Sequence, residues 1–118
     1  MRQSILIVDD HPSFLAVARF LLETEGFDVV GVASDGESAV RETVRSSPQF
    51  VLLDVSLPDM DGFEVAARLR AAGVSSTIVF TSSRDRAEFG SLVTDSGGSG
   101  FITKAELSGD ALRAFSAR

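Results

Sequence analysis

The sequence contains no cysteine, no tryptophan and no tyrosine, a single histidine (His11) and a single lysine (Lys104). Without cysteine there is no disulfide scaffold, no thiolate zinc site and no sulfur nucleophile. One histidine excludes a multi-histidine metal centre, so any metal here must be held by oxygen. An excess of positive charge is also missing. The formal net charge is -6, and no stretch interleaves basic residues with aromatics, so direct nucleic-acid binding is not expected. Long apolar runs are absent too: the longest reach four or five residues, as in Ile5 to Val8, far short of a membrane span. The opening Met1-Arg2-Gln3-Ser4 meets an acidic pair too soon for a signal peptide. The expected setting is a reducing cytoplasm without membrane association.

What remains is a chain of 118 residues, 44% hydrophobic, enough for one domain over residues 1–118 with one ordinary core. Ile5-Leu6-Ile7-Val8 is a continuous, β-branched-rich run ending in Asp9-Asp10, as a strand buried on both faces would read. Pro12 suits the first turn of a helix carrying Phe14, Leu15, Ala18, Leu21 and Leu22 at helical spacing and closed by Gly26. The alternation repeats. Val29 to Ala33 reads as a strand. Ser34-Asp35-Gly36 opens a helix through Ala39, Val40 and Val44 that stops near Pro48. Phe50 to Leu53 is a strand ending in Asp54. A loop, Ser56 to Gly62, leads into a helix with Phe63, Val65, Ala66 and Leu69, closed by Gly73. Thr77 to Phe80 is a strand ending at Thr81. A weaker helix is expected from about Asp85 to Ser96, with Gly90 inside it costing about 1 kcal/mol against alanine. Gly100 to Thr103 is a short strand, and Ser108 can cap a last helix with Leu112 and Phe115 on its apolar side. Five strand–helix alternations predict a doubly wound, five-stranded parallel α/β domain of order 2-1-3-4-5.

In such a sheet the ligand site lies beyond the carboxyl ends of the strands, where strand order reverses, here between the first and third strands. Those strands end in Asp9, Asp10 and Asp54. Neighbouring strands are about 4.8 Å apart, so the three carboxylates converge. One Asp at a strand end is usually a turn residue or helix cap, and Asp10 before Pro12 fits that role. Three at the two switch-point strands are a far rarer coincidence. Such a cluster needs either a proton or a cation, and a hard divalent ion such as magnesium takes one or two carboxylates and keeps its waters. The carboxylate left over can react. Thr81 ends the neighbouring strand and can donate to an anion held at Asp54. Lys104 starts about 10 Å away, two strand spacings, which its four-carbon stem largely spans. Most lysines are solvated surface residues, yet of the 11 basic residues only Lys104 is not arginine, which points to a place needing a compact ammonium. A carboxylate nucleophile beside a cation and a lone ammonium suits phosphoryl transfer, which needs positioning and charge neutralisation more than covalent help.

Asp9-Asp10, Asp54 with Leu57-Pro58-Asp59-Met60-Asp61-Gly62 behind it, Thr81, and Phe101 three residues before Lys104 together resemble the receiver domain of bacterial two-component response regulators. The resemblance covers the chain from the first strand to the fifth helix. Asp9-Asp10-His11-Pro12 is most similar to the subfamily that usually carries a C-terminal LuxR-type helix-turn-helix. The resemblance implies a flavodoxin-like, CheY-like fold and a signalling switch rather than an enzyme, with slow self-phosphorylation and autodephosphorylation at Asp54. Asp54 would accept a phosphoryl group from the phosphohistidine of a sensor histidine kinase or phosphotransfer protein. Asp10 would hold Mg2+ directly and Asp9 largely through water, with Asp54 and the Ser56 carbonyl completing the set and Mn2+ as a substitute ion. Thr81 would swing towards the phosphoryl group, Phe101 would turn inward behind it, and Lys104 would pair with the phosphoryl oxygens. The surface of the fourth helix, fifth strand and fifth helix would then control a downstream effector domain or protein, with homodimerisation on phosphorylation.

Ala105 stands where the family often has proline. The step from Thr81 to Lys104 is one residue longer than the family's, and Ser82 restores it, so the switch hydroxyl is Thr81, directly after the apolar strand, or Ser82. His11 reads as a loop residue beside the site. Two other readings exist. A receiver working without phosphorylation would not need the full set of acids and lysine. An aspartyl phosphatase usually has an acid two residues after its nucleophile, where this chain has Ser56, and a cap domain for which 118 residues leave no room. The chain is either a stand-alone receiver or one domain of a DNA-binding regulator.

Overall fold

Uninterrupted apolar runs bury both faces of a strand, and amphipathic helices of alternating placement cover them. The computed structural model, which describes residues 2–116, follows this rule. Its elements are β1 (Gln3–Val8), α1 (Pro12–Thr24), β2 (Phe27–Ala33), α2 (Gly36–Ser46), β3 (Phe50–Asp54), α3 (Gly62–Ala71), β4 (Thr77–Ser82), a 3-10 turn (Arg86–Phe89), α4 (Leu92–Asp95), β5 (Gly100–Thr103), a second 3-10 turn (Lys104–Glu106) and α5 (Gly109–Ala114). The five strands are parallel in the order β2-β1-β3-β4-β5. All five residues of the central strand β3 are buried.

The sheet separates two apolar layers. On one face Ile5, Ile7, Phe50, Leu52 and Val79 pack with Ala18 and Leu22 of α1 and Leu112 of α5. On the other, Leu6, Val8, Val51, Leu53 and Phe80 pack with Ala39 of α2, Val65, Ala66 and Leu69 of α3, and Val93 of α4. Helix starts follow local chemistry. Asp35, Asp61 and Ser108 each accept a hydrogen bond from the backbone N–H three residues on, at 2.8 Å, 2.8 Å and 3.1 Å. Pro12 opens α1, where its missing N–H costs nothing.

Several boundaries differ from the sequence reading, β4 among them, which runs one residue further to Ser82. β1 begins at Gln3 and β2 at Phe27, two residues earlier than expected in each case. The single helix expected from Asp85 to Ser96 does not form. Gly90 adopts φ +56 and separates the 3-10 turn from the one-turn helix α4. In this stretch only Val93 is buried, so no continuous apolar stripe holds a longer helix on the sheet.

The far end of α4 is nevertheless anchored. Arg70 donates to three backbone carbonyls, Gly97, Val74 and Ser76, each at 2.9 Å. It thereby ties the end of α3, the start of β4 and the glycine-rich turn before β5 into one knot, with no carboxylate partner among the described residues. Hydrogen bonds from a charged donor are worth more than neutral ones. Arg70→Met is expected to lower stability by about 2–4 kcal/mol. Hydrogen exchange should accelerate at Gly97 to Ser99 before the rest of the sheet, and chemical denaturation with exchange mass spectrometry measures both.

Candidate functional site

Strand register places the site. Val8 pairs with Leu53, so the residues that follow, Asp9 and Asp54, leave the sheet side by side. Asp54 pairs in turn with Thr81 on β4, and Ser82 with Thr103 on β5, immediately before Lys104. Four consecutive strand ends thus bring together two acids, a hydroxyl and the lysine. Asp9 is fully buried and Asp54 is 4% exposed, while Asp10 is exposed.

The Lys104 ammonium lies 2.7 Å from Asp9 Oδ2 and 3.4 Å from Asp54 Oδ2, bridging the two carboxylates. That Asp9 oxygen makes no hydrogen bond beyond this ion pair. The ammonium also sits 4.5 Å above the centre of the Phe14 ring of α1, a cation–π contact that covers it from the helix side. Asp54 Oδ1 accepts from the Ser56 N–H at 3.1 Å. Asp9 Oδ1 accepts from the His11 backbone N–H at 2.9 Å, and His11 Nδ1 lies 2.9 Å from that same oxygen and 3.1 Å from Asp10 Oδ1.

The two buried acids are driven in opposite directions. Burial, helped by the negative charge of Asp9, outweighs the Ser56 hydrogen bond and Lys104, and pushes the Asp54 carboxyl up to about 6. Burial also opposes ionisation of Asp9. There the bonds from Lys104 and His11 and the lysine charge prevail and hold it below the usual carboxylate range. Burial of Lys104 is outweighed by the same two acids, which raise its pKa and keep it charged. Counted as charges, Asp9, Asp10 and Asp54 against Lys104 leave −3 + 1 = −2 at one spot.

The loop behind Asp54 is held by its own chemistry. Gly62 N–H donates to the Val55 carbonyl at 2.7 Å, and a side chain on Gly62 would collide with the Asp54 carbonyl, so only glycine permits this return. Asp59 accepts from the backbone N–H groups of Gly36 and Glu37 at 2.7 and 3.0 Å, lashing the loop to the start of α2. The acids of the Leu57 to Gly62 segment are therefore structural.

Thr81 Oγ1 is fully buried and has no hydrogen-bond partner. Such an orphan hydroxyl is uncommon, and here it lies one register step from Asp54. Ser82, the alternative hydroxyl, already accepts from the Arg84 N–H at 3.1 Å. Phe101 is partly buried, with its ring 5.7 Å from that of Phe89 in the 3-10 turn. The structure thus gathers Asp9, Asp10, Asp54, Ser56, Thr81 and Lys104 and sets Phe101 one strand outward. Two participants were not foreseen: Phe14, which reads as a core residue of α1, and His11, whose ring grips both acids rather than lying beside them.

One ligand atom from each of Asp9, Asp10, His11 and Asp54 can be chosen so that all lie within 4.8 Å of one another. The excess negative charge and the raised Asp54 carboxyl are what a hard divalent cation relieves, so the donor set fits magnesium.

A five-stranded parallel sheet of this order with an acidic crevice at the switch point defines a doubly wound α/β domain, and comparison with known proteins gives its family. Residues 5–115 match the family model of the response regulator receiver domain, and the chain belongs to that family. It is 34% identical over 106 residues to the virulence-factor transcription regulator BvgA of Bordetella pertussis, a match covering 90% of this chain and 51% of that protein. Among solved structures it resembles the signal receiver domain of NarL from Mycobacterium tuberculosis, with a TM-score of 0.86 and 30% identity over 99% of this chain and 98% of that one. A LuxR-family two-component response regulator from Aurantimonas gives a TM-score of 0.86 at 26% identity, covering 100% of this chain and 88% of that one. The chain spans about half the length of the curated relatives it matches. No helix among the described residues is long and apolar enough to cross a membrane.

Because the Asp54 carboxyl is raised in the folded protein above its ordinary value of 3.8, the native state binds more protons than the unfolded chain between about pH 4 and 6. Asp54 therefore costs stability increasingly as pH rises through that window, and fully above it. Asp54→Asn in metal-free buffer is expected to stabilise the protein at pH 7.5 by on the order of 2 kcal/mol, the gain fading towards pH 4. Denaturant titrations across that range measure it, and an equal or lower midpoint at pH 7.5 contradicts the assignment.

Proposed function

We propose that this receiver domain is switched by phosphorylation of Asp54 in a two-component phosphorelay. The observation that carries the reading is the convergence at one crevice of a nearly buried carboxylate, the only lysine and an orphan hydroxyl. Above its raised pKa of about 6 the Asp54 carboxylate is ionised and able to act as nucleophile. A carboxylate oxygen attacks the phosphorus of a phosphohistidine on a sensor histidine kinase or phosphotransfer protein. The phosphorus–nitrogen bond breaks, the imidazole leaves with that electron pair, and an acyl phosphate forms on Asp54. Magnesium, or manganese in its place, would be held by Asp9, Asp10, Asp54 and the Ser56 carbonyl, and supplies charge neutralisation when bound. Lys104 shifts from the acids to the new phosphoryl oxygens, and Thr81 donates its free hydroxyl to them. Self-phosphorylation from small acyl phosphates and slow hydrolysis follow from the same chemistry.

The output is a two-state shift. Thr81 moving inward leaves room behind it for Phe101, and the disturbance passes to the weakly held segment around Gly90, α4, β5 and α5. That surface is read by an effector domain or protein partner, with a second copy of the chain as one candidate. BvgA, a transcription regulator, suggests transcription as the process controlled, and the absence of cysteine fits a reducing cytoplasm. The acidic balance of this domain leaves DNA contact to another module.

An acyl-phosphate donor with Mg2+ should add one phosphoryl mass to the chain, and Asp54→Asn should remove that addition. Intact-protein mass spectrometry decides, since no Trp or Tyr is present to report by fluorescence; an unchanged mass for the parent chain would sink the proposal. Thr81 is separated from Ser82 by a second comparison. Thr81→Val should abolish phosphorylation-dependent amide shifts in β5 and α4, whereas Ser82→Ala should keep them. The opposite pattern in NMR spectra would transfer the switch role to Ser82.

A further inference from the structure

The crevice holds a donor that a magnesium site does not use. His11 is the only histidine of the chain. It precedes α1 with an extended backbone, φ −99, fixed between Asp10 and Pro12, and its side chain makes no capping hydrogen bond. The ring is committed instead to the acids, with Nδ1 2.9 Å from Asp9 Oδ1 and 3.1 Å from Asp10 Oδ1. Adjacent ligands on an octahedral ion with bonds of about 2.1 Å stand about 3 Å apart. The two nitrogen–oxygen separations match that edge, and Asp54 supplies an oxygen within the same cluster. The His11 side chain is 63% exposed, so an ion and solvent reach it without opening the core. Beside the cluster lies the orphan Thr81 hydroxyl, a buried polar group aimed at nothing in the protein, which independently marks this crevice as built for a ligand.

Donor chemistry decides which ion gains. Carboxylates and carbonyls suit magnesium and manganese, whereas imidazole nitrogen favours the later first-row divalent ions. We infer that His11 Nδ1 is a ligand of the ion held by Asp9, Asp10 and Asp54, making this a mixed nitrogen–oxygen site that prefers transition-metal divalent ions over magnesium. The inference rests on the metal-binding part of the proposed function. Nδ1 then presents its lone pair to the ion, and the ring proton sits on Nε2, towards solvent. The competing arrangement is a ring that only donates Nδ1–H to the carboxylates and is displaced when an ion enters.

The full chain loaded with one equivalent of Cu2+, a later first-row ion suited to imidazole, and studied by pulsed electron paramagnetic resonance separates the two. With one histidine present, a directly bonded imidazole nitrogen is assigned without labelling. Nitrogen hyperfine coupling is expected in the parent chain and lost in His11→Ala. Calorimetry should show Co2+ affinity falling by about tenfold or more in His11→Ala and Mg2+ affinity falling less, with an unchanged circular dichroism spectrum certifying that the variant is folded. Bound copper without imidazole nitrogen coupling, or equal losses for Co2+ and Mg2+, overturns the inference. Phosphoryl incorporation at Asp54 with Mg2+, read in parallel, keeps the failures apart. If incorporation persists without nitrogen coupling, the His11 role alone falls; if the parent chain binds no divalent ion, both fall.

Discussion

Everything at the carboxyl edge of this sheet depends on one ammonium placed between two buried carboxylates. Lys104 stands 2.7 Å from Asp9 and 3.4 Å from Asp54, and no other basic side chain pairs with either among the described residues except His11 with Asp9. Removing charges from water is expensive, and attraction in the interior repays it only with good geometry and full hydrogen bonding. Asp9 comes nearer to that condition, with Lys104 against Oδ2 and two His11 contacts at Oδ1. Asp54, with one backbone bond and the longer arm of the bridge, does not. The deficit is why its carboxyl rises to about 6 while that of Asp9 falls. A site that destabilises one of its own acids is poised for anything that neutralises it, whether proton, cation or covalent phosphoryl group.

The same local deficit has a route into the rest of the fold. Register places Thr81 beside Asp54 and Phe101 beside Phe80, so a displacement at the acid reaches β5 in two strand steps. Beyond β4 the packing thins: the 3-10 turn and α4 bury Val93 alone, and Gly90 interrupts them at positive φ. Arg70 holds the opposite end of this segment through the Gly97 carbonyl and ties it to the Val74 and Ser76 carbonyls before β4. A stretch pinned at Gly97 and loosely packed before it can shift without unfolding the sheet, which is what a two-state readout of Asp54 requires.

The sheet and the acids were legible in the sequence because each carries its own periodicity or position. Two-sided burial writes Ile5 to Val8 and Phe50 to Leu53 as unbroken apolar runs, and the strand order then carries Asp9, Asp10 and Asp54 to one point. The rarity of lysine alone marks Lys104 in the sequence. The helix expected from Asp85 to Ser96 failed because local pattern there is weak and a single glycine backbone angle overrides it. Phe14 was hidden for a different reason. An aromatic on the inner side of an amphipathic helix looks the same whether it packs against Leu52 or under an ammonium, and only the end of β5, some ninety positions along the chain, decides which. His11 reads as a loop residue because its sequence neighbours, Asp10 and Pro12, do not reveal that its ring turns back onto Asp9 and Asp10.

The single lysine also explains why arginine, the usual base of this chain, is absent there. A guanidinium fork would span the Oδ2 atoms of Asp9 and Asp54 with two fixed, parallel hydrogen bonds and hold both acids shut. An ammonium has no plane. It can keep its short contact to Asp9 and its face against Phe14 while releasing the weaker 3.4 Å contact to Asp54. That asymmetry leaves one acid secured and the other available. The compact charge thus stabilises the resting crevice through Asp9 without consuming the reactivity of Asp54, a division that a bidentate cation between the same two carboxylates could not provide.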